Sequence, residues 1–290
     1  MGSADYVIRV PNAPSEVDSR AWDALLATQA HPTPFMRHAY LAAMAESGSA
    51  TVATGWNAHF ITLHRDEALC AACVVYLKDH SYGEYVFDWA WASAYQQHGL
   101  EYYPKAVIAV PFTPVPGTRL LAEDAQARAA LLQVVQAWCE SVNVSSAHML
   151  FAADADMRSA TDIAWMARHT VQFHWHNSTP GYLDFDHFLQ SMNQEKRKKI
   201  RQERRKVQEA GVTFRAVRGP EMSAEDWALL MRCYQQTYWE HGNPPYLRPA
   251  FFEAMQRDMP ENWLLFVAEH GTQAIGISLI GLKLDAHQQP

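Results

Sequence analysis

The chain has 290 residues, 49% of them hydrophobic and ten of them Trp, which excludes a disordered chain and allows two domains of ordinary size. It has no apolar run of about 18 residues, as an α-helical membrane span needs, and MGSADYVIRV lacks the basic-then-apolar layout of a secretory signal, so the expected location is the cytoplasm. The net charge is −7, yet residues 196–206 hold eight Lys or Arg against the single acid Glu203, so this window carries +7 and the other 279 residues −14.

In chain order, the alternation at residues 6–10 predicts a short strand. Pro14 and a Ser15-x-x-Asp18 start then predict a helix reaching about residue 29. A turn at 31–35 leads to a helix over 37–46, stopped at Ser47-Gly48, and residues 56–64 and 69–77 read as two strands joined at 65–67. Cys70 and Cys73 fall inside the second of these strands. With no helix N-terminus to lower a thiol pKa and no second Cys or His pair, they read as core residues.

Residues 78–91 form the densest polar and aromatic block, with His80, Tyr82, Glu84, Tyr85, Asp88, Trp89 and Trp91 around Gly83. Such groups position a polar substrate and move protons. Expected next are a helix over 90–98, a buried strand over 106–110, a rigid Pro/Gly loop over 111–119 and a long helix over 124–143. A strand at 148–152, a helix at 157–169 and a strand at 171–175 complete the first half, and 176–181 reads as a linker.

The second half opens on the basic helix. Leu189, Met192, Ile200, Val207 and Ala210 share one side at 100° per residue and are expected to dock. Arg197, Lys198, Arg201 and Arg205 share another, with Gly211 as the stop. A strand over 212–217, a helix over 224–240 with a Ser223/Asp226 capping box, a helix over 249–259 and strands over 263–269 and 274–282 follow. Helices followed by paired strands thus occur in both halves.

The strings HSYGEYVFDWAWASAY at 80–95, YYPKAVIAVPFTPVPGTRLL at 102–121, FHWHN at 173–177 and KRKKIRQERRKV resemble the bacterial peptidoglycan biosynthesis/recognition family. That family is grouped with GNAT-like N-acyltransferases and is distantly similar to Fem-type peptidyltransferases. The resemblance runs from about residue 35 to 282 and implies an α/β chain of two GNAT-like modules, each a mixed sheet flanked by helices. The first would span 1–176 and the second 177–290, shortened at its C-terminus. It also implies an aminoacyl-tRNA donor, as in Fem-type enzymes, or acyl-CoA, as in ordinary GNAT enzymes, and places a basic helix like 197–206 near a nucleotide-linked acceptor. GNAT enzymes cradle pyrophosphate on the N–H groups of a glycine-rich loop. The comparable stretch here, residues 116–119, has one Gly and prolines at 114 and 116.

Acyl transfer needs a base for the amine and a donor to the oxyanion. Glu84 or Asp88 is the candidate base and His80 the alternative, with Tyr82, Tyr85 or Thr113 as donors, Trp89 and Trp91 as substrate contacts, and Lys105 and Arg119 as anion-binding cations. His174 and His176 alternate as a metal pair would, but no third ligand accompanies them, so no metal is expected. The expected function is acyl or aminoacyl transfer to an amine of a small molecule or peptide, with a peptidoglycan precursor as the model acceptor. tRNA is a candidate partner; the alternative is a non-catalytic module that reads a phosphorylated or anionic ligand with the 196–206 helix, and a general nucleic-acid binder is disfavoured by the acidic remainder.

Overall fold

A computed structural model describes residues 5–284. Its first sheet runs β1 (Val7–Arg9), β2 (Asn57–Arg65), β3 (Ala68–Lys78), β4 (Lys105–Ile108) and β6 (Ala147–Met149), with β5 (Leu121–Ala122) paired to β3 beside β4. All neighbours are antiparallel except β4 and β6, so the sheet is mixed. The β2–β3 hairpin turns through Asp66 and Glu67, both at positive φ, as a tight hairpin turn requires.

Side-chain alternation explains why β3 is apolar throughout. Phe60, Ala72, Val74 and Tyr76 face a core shared with α1 (Ser19–Ala27) and α2 (His38–Glu46). Ile61, Leu63, Ala71, Cys73 and Val75 face the opposite core, which includes Leu131, Leu132 and Val135. A strand buried on both faces has no polar side. Cys73 faces the second of these cores, Cys70 sits at the bulge opposite Leu63 and His64, and both are buried as free thiols. Burial pushes the Cys73 thiol well above its usual range.

Asp18, not Ser15, caps α1, accepting from the N–H groups of Arg20 and Ala21, while residues 14–16 form a separate 3-10 turn. After β3, α3 (Trp89–Gln97) precedes β4, and α4 (Ala125–Ser141) covers the second face, its start fixed by Asp124 accepting from Ala127 N–H at 2.7 Å. The helix α5 is Asp154–Asp162, shorter than expected, and residues 171–175 form no strand. The alternation at 171–175 is present in sequence, but the segment pairs with no strand of either sheet.

In the second half α6 (Phe185–Gln190) and α7 (Gln194–Glu209) are separate helices, because Asn193 caps α7 by accepting from Lys196 N–H. The break throws Leu189 and Met192 out of phase with Ile200 and Val207. Leu189 is buried, whereas no residue of α7 is, so the expected docked stripe does not form. Gly211 ends α7 at φ +74, as a C′ residue does.

Strands β7 (Val212–Arg218), β8 (Trp263–His270) and β9 (Gln273–Gly281) make a second, antiparallel sheet in the order β7-β8-β9. One face packs under α8 (Ala224–Glu240), which starts on the expected Ser223/Asp226 capping box, and α9 (Pro249–Asp258). The same apolar cluster continues into the first half. Tyr40 of α2 meets Phe251 of α9 edge-on at 5.3 Å, and Phe35 lies 6.4 Å from Trp263. Polar ties accompany it, from Arg37 to Asn262 Oδ1 at 2.8 Å and from Arg248 N–H to Ser49 Oγ at 3.0 Å.

Candidate active site

The polar block folds as a loop between β3 and α3, and its acids turn inward. Lys105, at the start of β4, sits opposite Lys78 at the end of β3, so the ladder itself brings the two amines side by side. Lys105 Nζ donates to Glu84 Oε2 and Ser81 Oγ, each at 2.8 Å, and to Asp88 Oδ2. Asp88 Oδ2 also accepts from Ser81 Oγ at 2.9 Å and from Tyr102 OH at 2.8 Å. Glu84, Asp88, Lys105 and Lys78 are all at most 3% exposed, so the charges sit where unpaired ones would be costly.

Burial raises the Glu84 carboxyl above its usual range against the pull of Lys105. The Asp88 carboxyl is held below its own: burial opposes, but the hydrogen bonds from Lys105 and Tyr102 outweigh it. Lys78 lies with Nζ 3.7 Å from the Trp56 ring centroid and donates only to the Tyr82 carbonyl, at 3.2 Å. Burial, with Lys105 adding to it, draws its ammonium down to about 7. His148 on β6 accepts or donates at Ser146 Oγ (2.8 Å), and burial beside Lys105 lowers it to about 4. Glu84 Oε1 and Asp88 Oδ1 are buried with no hydrogen-bond partner among the described residues.

The rim is aromatic and strained. Gly83, Tyr85 and Phe112 all have positive φ, and Phe112 N–H donates to the Gly83 carbonyl. A Cβ at Gly83 would lie 2.5 Å from the Phe112 ring. Tyr85 OH lies 3.3 Å from Tyr238 OH, and Phe112 stacks on Tyr246 at 4.6 Å with 8° between planes, so the rim joins both halves of the chain. Aromatic residues at φ near +57 are costly, and such strain concentrates at functional sites.

The structure gathers Glu84, Asp88 and Lys105 and separates the other candidates from them. His80 stands half-exposed beside Asp79 and accepts from Tyr82 N–H, with its pKa lowered by burial and by Lys78. Tyr82 and Trp89 are exposed, 6.3 Å apart, and Trp91 is half-covered by Arg168. Thr113 is engaged with Tyr40 OH and the Pro111 carbonyl. Lys105 and Arg119 are interior rather than surface cations. Arg119 donates to the Leu150 and Val115 carbonyls, and its own N–H donates to Asp156. Arg197, Lys198, Arg201 and Arg205 lie on α7, where the contacts of Arg197 and Arg201 are to Met192 and Asp186.

Sequence reasoning did not single out Lys78, Ser81, Tyr102 or His148. The pairing of β3 with β4 is what makes Lys78 and Lys105 neighbours, and no local pattern encodes it. The Tyr102–Tyr103 pair beside Lys105 was the available signal.

The stretch at residues 116–119 does not fit a coenzyme A pyrophosphate. Gly117 N–H donates to the Phe151 carbonyl, Thr118 N–H to the His31 carbonyl and Arg119 N–H to Asp156, which leaves no free donors. His174 and His176 lie with rings 6.2 Å apart. Among the described residues no group of three or more His, Cys, Asp or Glu is placed to hold a metal ion.

No curated protein is significantly similar to the chain. Among solved structures, the one titled crystal structure of FemX is 12% identical with a TM-score of 0.44, and the match covers 87% of this chain and 56% of FemX. The chain thus spans little more than half of FemX. The FemAB-like family, described as peptidoglycan biosynthesis/recognition, matches residues 13–286. By that match over nearly its whole length, the chain belongs to the FemAB-like family of peptidoglycan biosynthesis and recognition.

Proposed function

We propose that this chain transfers an aminoacyl group to the amine of a peptidoglycan-precursor-type acceptor, from an aminoacyl-tRNA donor. Family membership supports the reaction class. The single observation that carries the site is the pair of buried carboxylates, Glu84 and Asp88, each clamped through one oxygen by Lys105 and each leaving the other oxygen without a partner. An incoming ammonium is the guest such a pair favours. Glu84, raised by burial, or Lys78, drawn to about 7, would then take the proton that an attacking amine must lose. Tyr82 and Tyr85 would line the entry, and Tyr85 OH with Tyr238 OH would face the developing oxyanion. In this reading residues 1–176 form a GNAT-like module that supplies the acid–base cluster, and 177–290 form a second one that closes the rim. The setting would be the cytoplasm, where aminoacyl-tRNA is available.

The test is transfer of a labelled amino acid from aminoacyl-tRNA to a nucleotide-linked muropeptide, comparing wild type with Glu84→Gln and Lys78→Met. Loss of a general base costs on the order of 10²-fold or more in rate. Wild-type rates in both variants, each folded by circular dichroism, would remove the cluster from the chemistry. A parallel thermal-shift titration with coenzyme A and acetyl-CoA is expected to give no saturable shift, because the N–H groups of the 116–119 stretch are already committed.

A further inference from the structure

The 170–206 region leaves apolar side chains in solvent beside a dense positive charge. Phe173 is 101% exposed, Leu183 89% and Trp175 66%. They are not scattered. Trp175 and Phe185 both pack against Phe188, at 6.0 and 5.7 Å between ring centroids, as does Tyr182 at 5.3 Å. The cluster abuts α7 directly, since the Arg204 guanidinium lies 4.2 Å over the Phe185 ring and Arg201 pairs with Asp186 at 3.1 Å. Neighbouring acids are used internally: Asp186 by Arg201, and Asp184 by capping α6 at His187 N–H. On α7 itself, Glu203 has Lys199 within 3.9 Å, and no residue of the helix is buried.

We propose that this surface, α7 with Phe173, Trp175 and Leu183, docks the protein on an anionic lipid bilayer. Basic side chains beside protruding aromatic and aliphatic ones are the chemistry of an interfacial anchor. The cations meet headgroup phosphates while the apolar tips enter the acyl boundary. Two observations favour a bilayer over other polyanions or a protein. Leu183 has no π-face on which a base could stack, yet it is the second most exposed residue of the patch. Phe173 and Leu183, at the edge of that cluster, stand in solvent rather than lining a groove, which suits a fluid surface better than a complementary pocket. The charge segregation orients the molecule, because the rest of the chain, at −14, is repelled by the same membrane. This inference does not depend on the transferase reading.

The experiment is co-sedimentation of the full chain with phosphatidylcholine vesicles, with and without phosphatidylglycerol, at low and high salt. Binding is expected only to the phosphatidylglycerol vesicles and is weakened by salt. Phe173→Ser with Leu183→Ser, at positions that bear no fold contacts, should reduce the partition coefficient at least about tenfold, and Lys198→Glu with Arg205→Glu by a similar factor. Failure to bind anionic vesicles overturns the proposal. So does vesicle binding that the Phe173/Leu183 variant leaves unchanged, since that is charge alone. Displacement from vesicles by a single-stranded RNA oligonucleotide that binds more tightly, and depends on the same residues, would instead make the surface a nucleic-acid site.

Discussion

At the scale of single residues, Lys105 decides whether the interior of the first half is tolerable. Its ammonium is the shared partner of Glu84 and Asp88, and Lys105→Met would leave two carboxylates buried without a counter-charge. Removing one member of a buried ion pair costs about 3–5 kcal/mol, so urea denaturation at neutral pH should show a loss of that order. Replacing the whole set with apolar residues should cost less. Lys78 gives a pH signature with a definite sign. Its folded pKa of about 7 lies below the 10.5 of a free lysine, so between these the folded chain binds fewer protons than the unfolded one. Stability contributed through Lys78 therefore rises with pH across that window. In urea titrations wild type should gain stability relative to Lys78→Met as pH goes from about 7 to about 9, and a constant difference would show that Lys78 is not desolvated as described. Gly83 is a third residue-scale test. At φ +81, with the Phe112 ring where a Cβ would stand, Gly83→Ala should destabilise by more than about 1 kcal/mol, read as a lower urea midpoint.

At the scale of elements, what the sequence announced well were helix starts with a local partner. Ser223 with Asp226 caps α8 as their spacing implies, because a cap needs only a side-chain oxygen and an N–H three residues on, whereas at α1 Asp18 takes the place expected of Ser15. Asp124→Ala should cost about 1 kcal/mol, read as a lower urea midpoint with an unchanged slope. Elements that needed a distant partner were misread. Residues 171–175 alternate but pair with no strand, and the α7 stripe carries too few large apolar residues, once Asn193 separates it from Leu189, to bury itself. For the site the division is the same. The types in the 78–91 block marked it as chemically dense, but the clamp of Glu84 and Asp88 by Lys105 depends on the β3–β4 register. That register is set by sheet packing across 27 residues of sequence, not by any local motif.

At the scale of the whole molecule, the two halves share one apolar cluster from Trp22 and Tyr40 to Phe251, Trp263 and Leu265. Phe251→Ala, at a buried position touching Tyr40, should cost about 3–5 kcal/mol and lower a single calorimetric transition rather than split it in two. Two separate transitions in wild type would show that the halves fold independently. The sequence by itself determined the composition of this protein: a mixed α/β chain with buried strands, capped helices, core cysteines, a basic helix and a chemically dense loop, because each follows from periodicity, capping and charge within a few residues. Only the tertiary structure decided that Lys105 and Arg119 face inward, that Lys78 joins the acids, that α7 stays in solvent, and that Tyr85 and Phe112 reach Tyr238 and Tyr246. The reason is physical: desolvation and charge pairing depend on which distant groups exclude water from one another, and that is settled by packing between elements rather than by the order of residues within them.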